Sequence, residues 1–183
     1  KILFAWIGNT DLKAAIEKSK PGSGPIAQVL TKRKFDRVVL LSDHGKKSND
    51  KFIVWLRKST SSPIDIHHAK LTSPTSFSEI YELARGVIQD VTKDKDGDTE
   101  LVFHLSPGTP AMAAVWIILA KTRFPAELVE SSREAGVQTT SLPFDIAADY
   151  IPDLLRKPDE ELVRLSEGLP DDAPEFKDII HRS

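Results

Sequence analysis

Leu101-Val102-Phe103-His104-Leu105, continuing into Ser106-Pro107-Gly108-Thr109-Pro110-Ala111-Met112, is the stretch on which the fold turns. A five-residue run of this apolar character, without alternation, reads as a strand buried on both faces. Ser106, Pro107 and Gly108 end it in a turn, Thr109 is placed to cap a helix, and Pro110 suits the first helical position. The helix from Ala111 to Lys121 carries Met112, Val115, Trp116, Ile117, Ile118 and Leu119, so apolar residues occupy most of its circumference. Such a helix has to be covered on both sides. Sheet covers one side, and a second copy of the chain is a natural cover for the other.

The same strand-turn-helix rhythm runs back to the start. Ile2 to Ile7 is an apolar run closed by Gly8-Asn9-Thr10-Asp11, followed by helical pieces at Leu12 to Lys18 and Pro25 to Lys32 that Pro21-Gly22-Ser23-Gly24 separates. Arg37 to Leu41 is a second strand, Ser48 to Lys58 a helix with Phe52, Trp55 and Leu56 on one face, and Ile64 to His67 a third strand. Phe77, Ile80, Tyr81, Ala84, Val87, Ile88 and Val91 then follow helical spacing, with Thr75 at the start. Beyond Lys121, Ala126 to Ser131 and Gln138 to Leu142 read as an edge hairpin turning at Arg133-Glu134-Ala135-Gly136. Alternation of this kind demands helix-length crossovers and hence a mostly parallel sheet with helices on both faces, a doubly wound, Rossmann-like α/β fold. No internal repeat or low-complexity tract is present.

In such sheets ligands sit beyond the carboxyl ends of the strands where the strand order reverses. With an order of 3-2-1-4 that point falls between the first and fourth strands. The loops there are Gly8-Asn9-Thr10-Asp11 and Ser106-Pro107-Gly108-Thr109, the two most distinctive small-polar turns in the chain. Gly108 lets backbone approach a ligand closely, and the amides and dipole of the following helix favour an anion. The plainer alternative is that both turns merely start helices. Gly8, Asn9, Thr10, Ser106, Pro107, Gly108, Thr109 and Met112 are the candidate ligand-binding residues, with Asp11 divided between a ribose hydroxyl and a helix cap. Ser42-Asp43-His44 after the second strand can equally reach a base or form a turn, and Ser42 joins the candidate set. His67-His68 lacks the spaced partners of a metal site, and His104 reads as a core histidine, so neither a metal nor a cofactor is expected.

Composition narrows the class. The 183 residues hold 40% hydrophobic residues and no cysteine, which excludes disulfides, thiolate metal ligation and a cysteine nucleophile and fits the cytoplasm. Ile2 to Ile7 is shorter than the roughly 7 to 15 apolar residues of a signal-peptide core, and no membrane association is expected. A net charge of -2 argues against direct duplex DNA binding, which rests on many phosphate-neutralising cations. The charge is uneven: Lys157 to Ser183 holds eight acidic and four basic residues, leaving +2 before it. A helix is expected from Asp159 to Ser166, followed by the linker-like Gly168-Leu169-Pro170-Asp171-Asp172-Ala173-Pro174. Starting at Lys1 rather than Met, the sequence reads as part of a longer chain.

The turn Ser106-Pro107-Gly108-Thr109-Pro110-Ala111-Met112 after a fourth strand resembles the Gly-Thr motif of CARF (CRISPR-associated Rossmann fold) sensor domains, and Gly8-Asn9-Thr10-Asp11 resembles their first ligand loop. The likeness covers residues 1–145. It implies a homodimer that binds a cyclic oligoadenylate or related small RNA across its twofold axis. Many members carry Gly-Gly-Thr followed by a basic residue; Pro107 and Pro110 depart from that pattern and remove a charge near the expected phosphate. Glu175-Phe176-Lys177-Asp178-Ile179-Ile180-His181-Arg182-Ser183 looks like the opening of the AAA+ ATPase domain of sigma-54-dependent activators, with 146–174 as a helical linker. A CARF-like sensor ahead of that ATPase is similar to the RtcR group of regulators of RNA-repair operons. The resemblance thus implies a non-enzymatic transcription regulator. Its rivals are a metal-independent ring nuclease and a dimerisation module without a ligand.

Overall fold

A computed structural model describes residues 1–17, 22–93 and 99–142. In chain order the elements are β1 (Ile2–Trp6), α1 (Asn9–Ile16), α2 (Pro25–Lys32), β2 (Arg37–Ser42), α3 (Lys46–Leu56), β3 (Ile64–His68), α4 (Phe77–Thr92), β4 (Leu101–His104), α5 (Pro110–Thr122), β5 (Ala126–Ser132) and β6 (Gly136–Thr140). They build one six-stranded sheet of order β3-β2-β1-β4-β5-β6, parallel throughout except for the β5–β6 hairpin. The mostly parallel Rossmann-like sheet, the edge hairpin and the reversal between β1 and β4 all match expectation. The linker at 146–174 and the segment 175–183 lie outside the described residues.

Strand alternation divides the core in two. Ile2, Phe4 and Trp6 of β1 face α4 and α5, where Phe103 stacks on Trp116 with centroids 4.8 Å apart and Phe4 meets Phe103 edge-on at 5.8 Å. Leu3, Ala5 and Ile7 face the other way, into a layer formed with α1, α2 and α3 that includes Ile26, Leu30, Phe52 and Leu56. Both faces of β1 are therefore covered, which is why the run shows no polar alternation.

Several details differ from the sequence reading. The first helix begins at Asn9, not Leu12, with Gly8 as its N-cap, so the Gly8-to-Asp11 stretch starts a helix, as the plainer alternative has it. Asp11 explains this, since its carboxylate accepts the Gly8 amide and closes the first turn from the third helical position. The α4 cap is Ser76 instead of Thr75; Glu79 accepts from Thr72, and Thr75 bonds to Ser73. β6 starts at Gly136, whose φ of 70° closes a three-residue turn over Arg133 to Ala135. On α5, Ala111, Met112, Val115, Trp116, Leu119 and Ala120 are buried, and α4 packs against α5 in the same core layer. Ala113, Ala114, Ile117 and Ile118 stay half-buried.

Among the described residues no helix is long and apolar enough to cross a membrane.

Candidate functional site

β1 and β4 lie side by side in register, Ile2 opposite Leu101 and Phe4 opposite Phe103, so the chain leaves both at the same edge of the sheet. Each strand is followed at once by a helix. The two turns touch through backbone: a Cβ placed on Gly8 would lie 2.7 Å from the Gly108 nitrogen. Only glycine at position 8 permits that approach; its conformation, φ -96° and ψ 165°, is open to any residue, so the contact alone is what excludes a side chain. Gly108 is constrained differently, with φ of 90° and a Cβ direction that meets Met112 Sδ at 2.7 Å and Trp6 Cβ at 3.1 Å. The paired glycines thus serve one end: two peptide groups, a hundred residues apart in sequence, are packed against each other at the switch point.

Around them the α1 and α5 N-termini converge. A helix leaves its first-turn amides without intrahelical acceptors. The Asn9, Thr10 and Ala111 amides belong to this class, and the dipoles of both helices raise the potential there. Asn9, Thr10, Ser106 and Gly108 are exposed at this edge. The arrangement offers backbone donors, two hydroxyls and an amide side chain to an anionic or hydroxyl-rich ligand, and neither turn contributes a basic residue.

The hydroxyls are already partly engaged. Thr109 Oγ1 accepts the Met112 amide at 3.3 Å, which is the expected cap, and donates to the Pro74 carbonyl at 2.8 Å, which ties the turn to the segment after β3. Ser106 Oγ accepts the Ser131 amide at 2.6 Å, fixing the turn against β5. Its own proton remains to donate.

Four candidates play supporting parts rather than lining the cleft. Asp11 is fully buried; Oδ2 accepts Gly8 N–H at 3.3 Å and Oδ1 accepts Ile26 N–H at 3.0 Å, so the carboxylate caps α1 and α2 together and faces away from solvent. Burial pushes its pKa up to about 7 against the opposing pull of those amides. Ser42, also fully buried, donates to Asn49 Oδ1 at 2.9 Å and accepts His44 N–H at 3.1 Å. Asn49 in turn donates to the His44 carbonyl and meets His68 Nδ1 at 3.1 Å, so the Ser42-Asp43-His44 segment is a turn locked to α3. Met112 is 2% exposed and packs beneath Gly108, and Pro107 is buried. His104 is buried with Nε2 2.9 Å from Ser131 Oγ, and burial lowers its pKa to about 3.

A feature the sequence reading missed adjoins the cleft. A groove of about 460 Å³ opens between α1, the start of α2 and the β5–β6 turn, with Thr10, Lys13, Gln28 and Arg133 among its walls. The Gly22-Ser23-Gly24 break was its only sequence signal. Gly24, at φ 87°, rests with its Cβ direction 3.2 Å from Asp11 Oδ1 and 3.5 Å from the Ala14 methyl. That close seating brings Ile26 N–H to the Asp11 carboxylate.

No family model and no curated protein matches the chain. Solved structures share its fold. Csm6 of Enterococcus italicus, bound to cyclic hexa-2'-fluoro-hexa-dAMP, superposes with a TM-score of 0.60 over 93% of this chain at 19% identity. Can2 of Sulfobacillus thermosulfidooxidans, in complex with cyclic tetra-adenylate, superposes with a TM-score of 0.50 over 72% at 11% identity. The present chain spans only 39% and 32% of those proteins' lengths. What the three share is the Rossmann-like α/β fold.

Proposed function

We propose that this chain is the CARF-type ligand-sensing domain of a larger regulator, and that it binds an RNA-derived nucleotide, a cyclic oligoadenylate or an RNA end, at the Gly8–Gly108 cleft. The observation that carries the reading is the backbone contact of the two glycines at the β1–β4 switch point, with two helix N-termini converging on it. A phosphate there gains amide hydrogen bonds and two favourable dipoles without needing a lysine. The resemblance of both loops to CARF sensors supports the identity of the ligand. So does the fold shared with two proteins whose structures hold cyclic nucleotides.

Two copies share the ligand across a twofold axis in this reading. The half-buried apolar residues Ala113, Ala114, Ile117 and Ile118 on α5 supply a surface for the pairing. The cleft is taken as a sensor rather than a ring nuclease, and what supports this is that among the described residues it offers amides and hydroxyls with no general acid or base turned toward the ligand. Its nearest carboxylate, Asp11, is turned inward and bonded twice. The resemblance of residues 175–183 to the opening of a sigma-54 activator ATPase makes that ATPase the receiver of the signal, with a ligand that prefers one arrangement of the dimer shifting the population toward it.

Light scattering combined with calorimetric titration of cyclic tetra- and hexa-adenylate tests the proposal. A dimer mass with one ligand bound per two chains is the expected result. A monomer, or no heat and no thermal shift with either compound, overturns it.

A further inference from the structure

We propose that the amino-terminal edge of the sheet, opposite the cleft, carries a second anion site: a basic hollow in which Lys32, Lys34 and Lys58 take a short run of phosphates, from a single-stranded nucleic acid or an inorganic polyphosphate. The inference stands apart from the sensing role proposed above, since it uses no residue of the cleft.

The hollow follows from the path of the chain. α2 ends at Lys32 and α3 at Leu56, and the two connections that follow lead into β2 and β3, which lie parallel side by side. Residues of both connections, Lys34 and Asp36 from one and Lys58 to Pro63 from the other, wall a space of about 720 Å³, within the range of small-molecule sites. Because these residues precede the strands, the hollow opens at the end of the sheet away from the Gly8 and Gly108 turns.

Its charge does not cancel. Lys32, Lys34 and Lys58 are exposed, and none has an ion-pair partner among the described residues. Arg33 is a fourth cation of the wall, but it is committed to Glu127 at 2.6 Å and to Thr139. Asp36 is the one carboxylate among the described residues of the wall, and the amino group of Lys1 is set against it. The carbonyl ends of α2 and α3 also border the hollow and offset on the order of half a positive charge each, which leaves about two for a ligand. Lys32, in the last turn of α2, is the cation expected at a helix end. Lys34 and Lys58 lie beyond the helical residues, where capping alone does not call for them.

The lining recognises phosphate rather than base. Leu30 and Phe35 are buried, so they present no open ring face or apolar shelf for stacking. Thr31, Thr60 and Ser62 spend their hydroxyl protons inside the fold, on the Gln28 carbonyl, Ser62 Oγ and the Phe35 carbonyl. Ser61 Oγ is unbonded among the described residues, and Ser59 Oγ is buried without a partner, a donor for which the fold supplies no acceptor. A ligand oxygen supplies one once that hydroxyl turns toward the opening. Ammonium groups and hydroxyl donors without a stacking surface bind the backbone and carry no sequence preference.

Calorimetric titration of the intact chain with tripolyphosphate and with linear oligouridylate tests this, in wild type, Lys34→Gln/Lys58→Gln and Gly8→Ala, with polyglutamate as a carboxylate control. At least one phosphate compound is expected to bind wild type and Gly8→Ala alike. Three lysines on a single strand give a slope of log affinity against log salt of about -2, and the lysine variant is expected to flatten it to about -0.7 and to bind at least about tenfold more weakly at about 50 mM salt. Both lysines are exposed, so the melting temperature of that variant stays at the wild-type value. Binding of oligouridylate alone identifies a nucleic-acid backbone as the source, and binding of tripolyphosphate alone a free phosphate chain. The site is overturned if neither compound binds, if the lysine variant binds like wild type, or if polyglutamate binds as tightly. Binding that is lost in Gly8→Ala and kept in the lysine variant places the phosphates in the cleft, and the second site then falls while the sensing role stands.

Discussion

Gly8→Ala separates ligand binding from folding more cleanly than any other substitution in this protein. Gly8 lies at φ -96° and ψ 165°, which alanine adopts without strain. In the unfolded chain the added methyl reduces backbone freedom, which by itself stabilises the fold by about 0.4 to 1 kcal/mol. Against this stands a single collision: the new Cβ lies 2.7 Å from the Gly108 nitrogen, and the obstructing atom is backbone, which cannot rotate away. The two turns must part by several tenths of an ångström, and the methyl occupies the space above the Gly108 amide. Charge-assisted hydrogen bonds contribute about 1.5 to 3 kcal/mol each, so loss of even one lowers affinity by about 10- to 100-fold. Stability changes by no more than about 1 to 2 kcal/mol, since only the turn gives way. Differential scanning fluorimetry and calorimetric titration with cyclic tetra- and hexa-adenylate report the two quantities separately. A folded Gly8→Ala protein that keeps wild-type affinity would refute the reasoning. The Gly108→Ala variant is less clean, because φ 90° adds backbone strain to its contact with Trp6.

Asp11 and His104 give the stability profile a distinctive pH dependence. The carboxyl raised from 3.8 to about 7 makes folding take up a proton, so stability falls as pH climbs from about 4 to about 7; the imidazole lowered from 6.5 to about 3 makes unfolding take up a proton, so stability rises over about 3 to 6.5. The two effects oppose each other in wild type, so relative to it denaturant unfolding of Asp11→Asn should show a profile that rises with pH and His104→Gln one that falls; parallel curves for all three proteins would sink the assignment. Thr109→Val removes both the α5 cap and the bond to the Pro74 carbonyl, and is expected to cost about 1 to 2 kcal/mol and lower the melting temperature by a few degrees. Trp116→Ala empties the centre of the aromatic cluster formed with Phe4, Trp6 and Phe103, and a loss of about 3 to 5 kcal/mol in urea unfolding is expected; a loss below 1 kcal/mol would contradict that packing.

The centre of the sheet was legible because β1, β2 and β4 are buried on both faces. β1 and β4 read as unbroken apolar runs, and the helices between them keep a clear 3.6-residue period, so element order and the β1–β4 switch point followed together. The Gly108 turn was legible for local reasons as well, since Thr109 and Pro110 mark a helix start within four residues. What escaped is what depends on contacts across the chain. Asp11 reads as either a ribose contact or a helix cap; it is a cap, and what the sequence hides is that Ile26, fifteen residues on, gives its carboxylate a second amide. Ser42 reads as a ligand contact until Asn49 takes its hydroxyl into the interior. The groove is assembled from α1, α2 and the β5–β6 turn, three segments that carry no shared motif. Pattern finds faces and turns, whereas the partner of a polar side chain is fixed only when the elements pack.

The claim that two helix starts meet to form the ligand site is tested most directly by amide chemical shifts. In a ¹⁵N-labelled sample titrated with cyclic oligoadenylate, the Asn9, Thr10, Gly108 and Ala111 amides are predicted to move first, together, and to saturate at one common stoichiometry. Saturable binding that leaves those four amides unmoved would contradict the account.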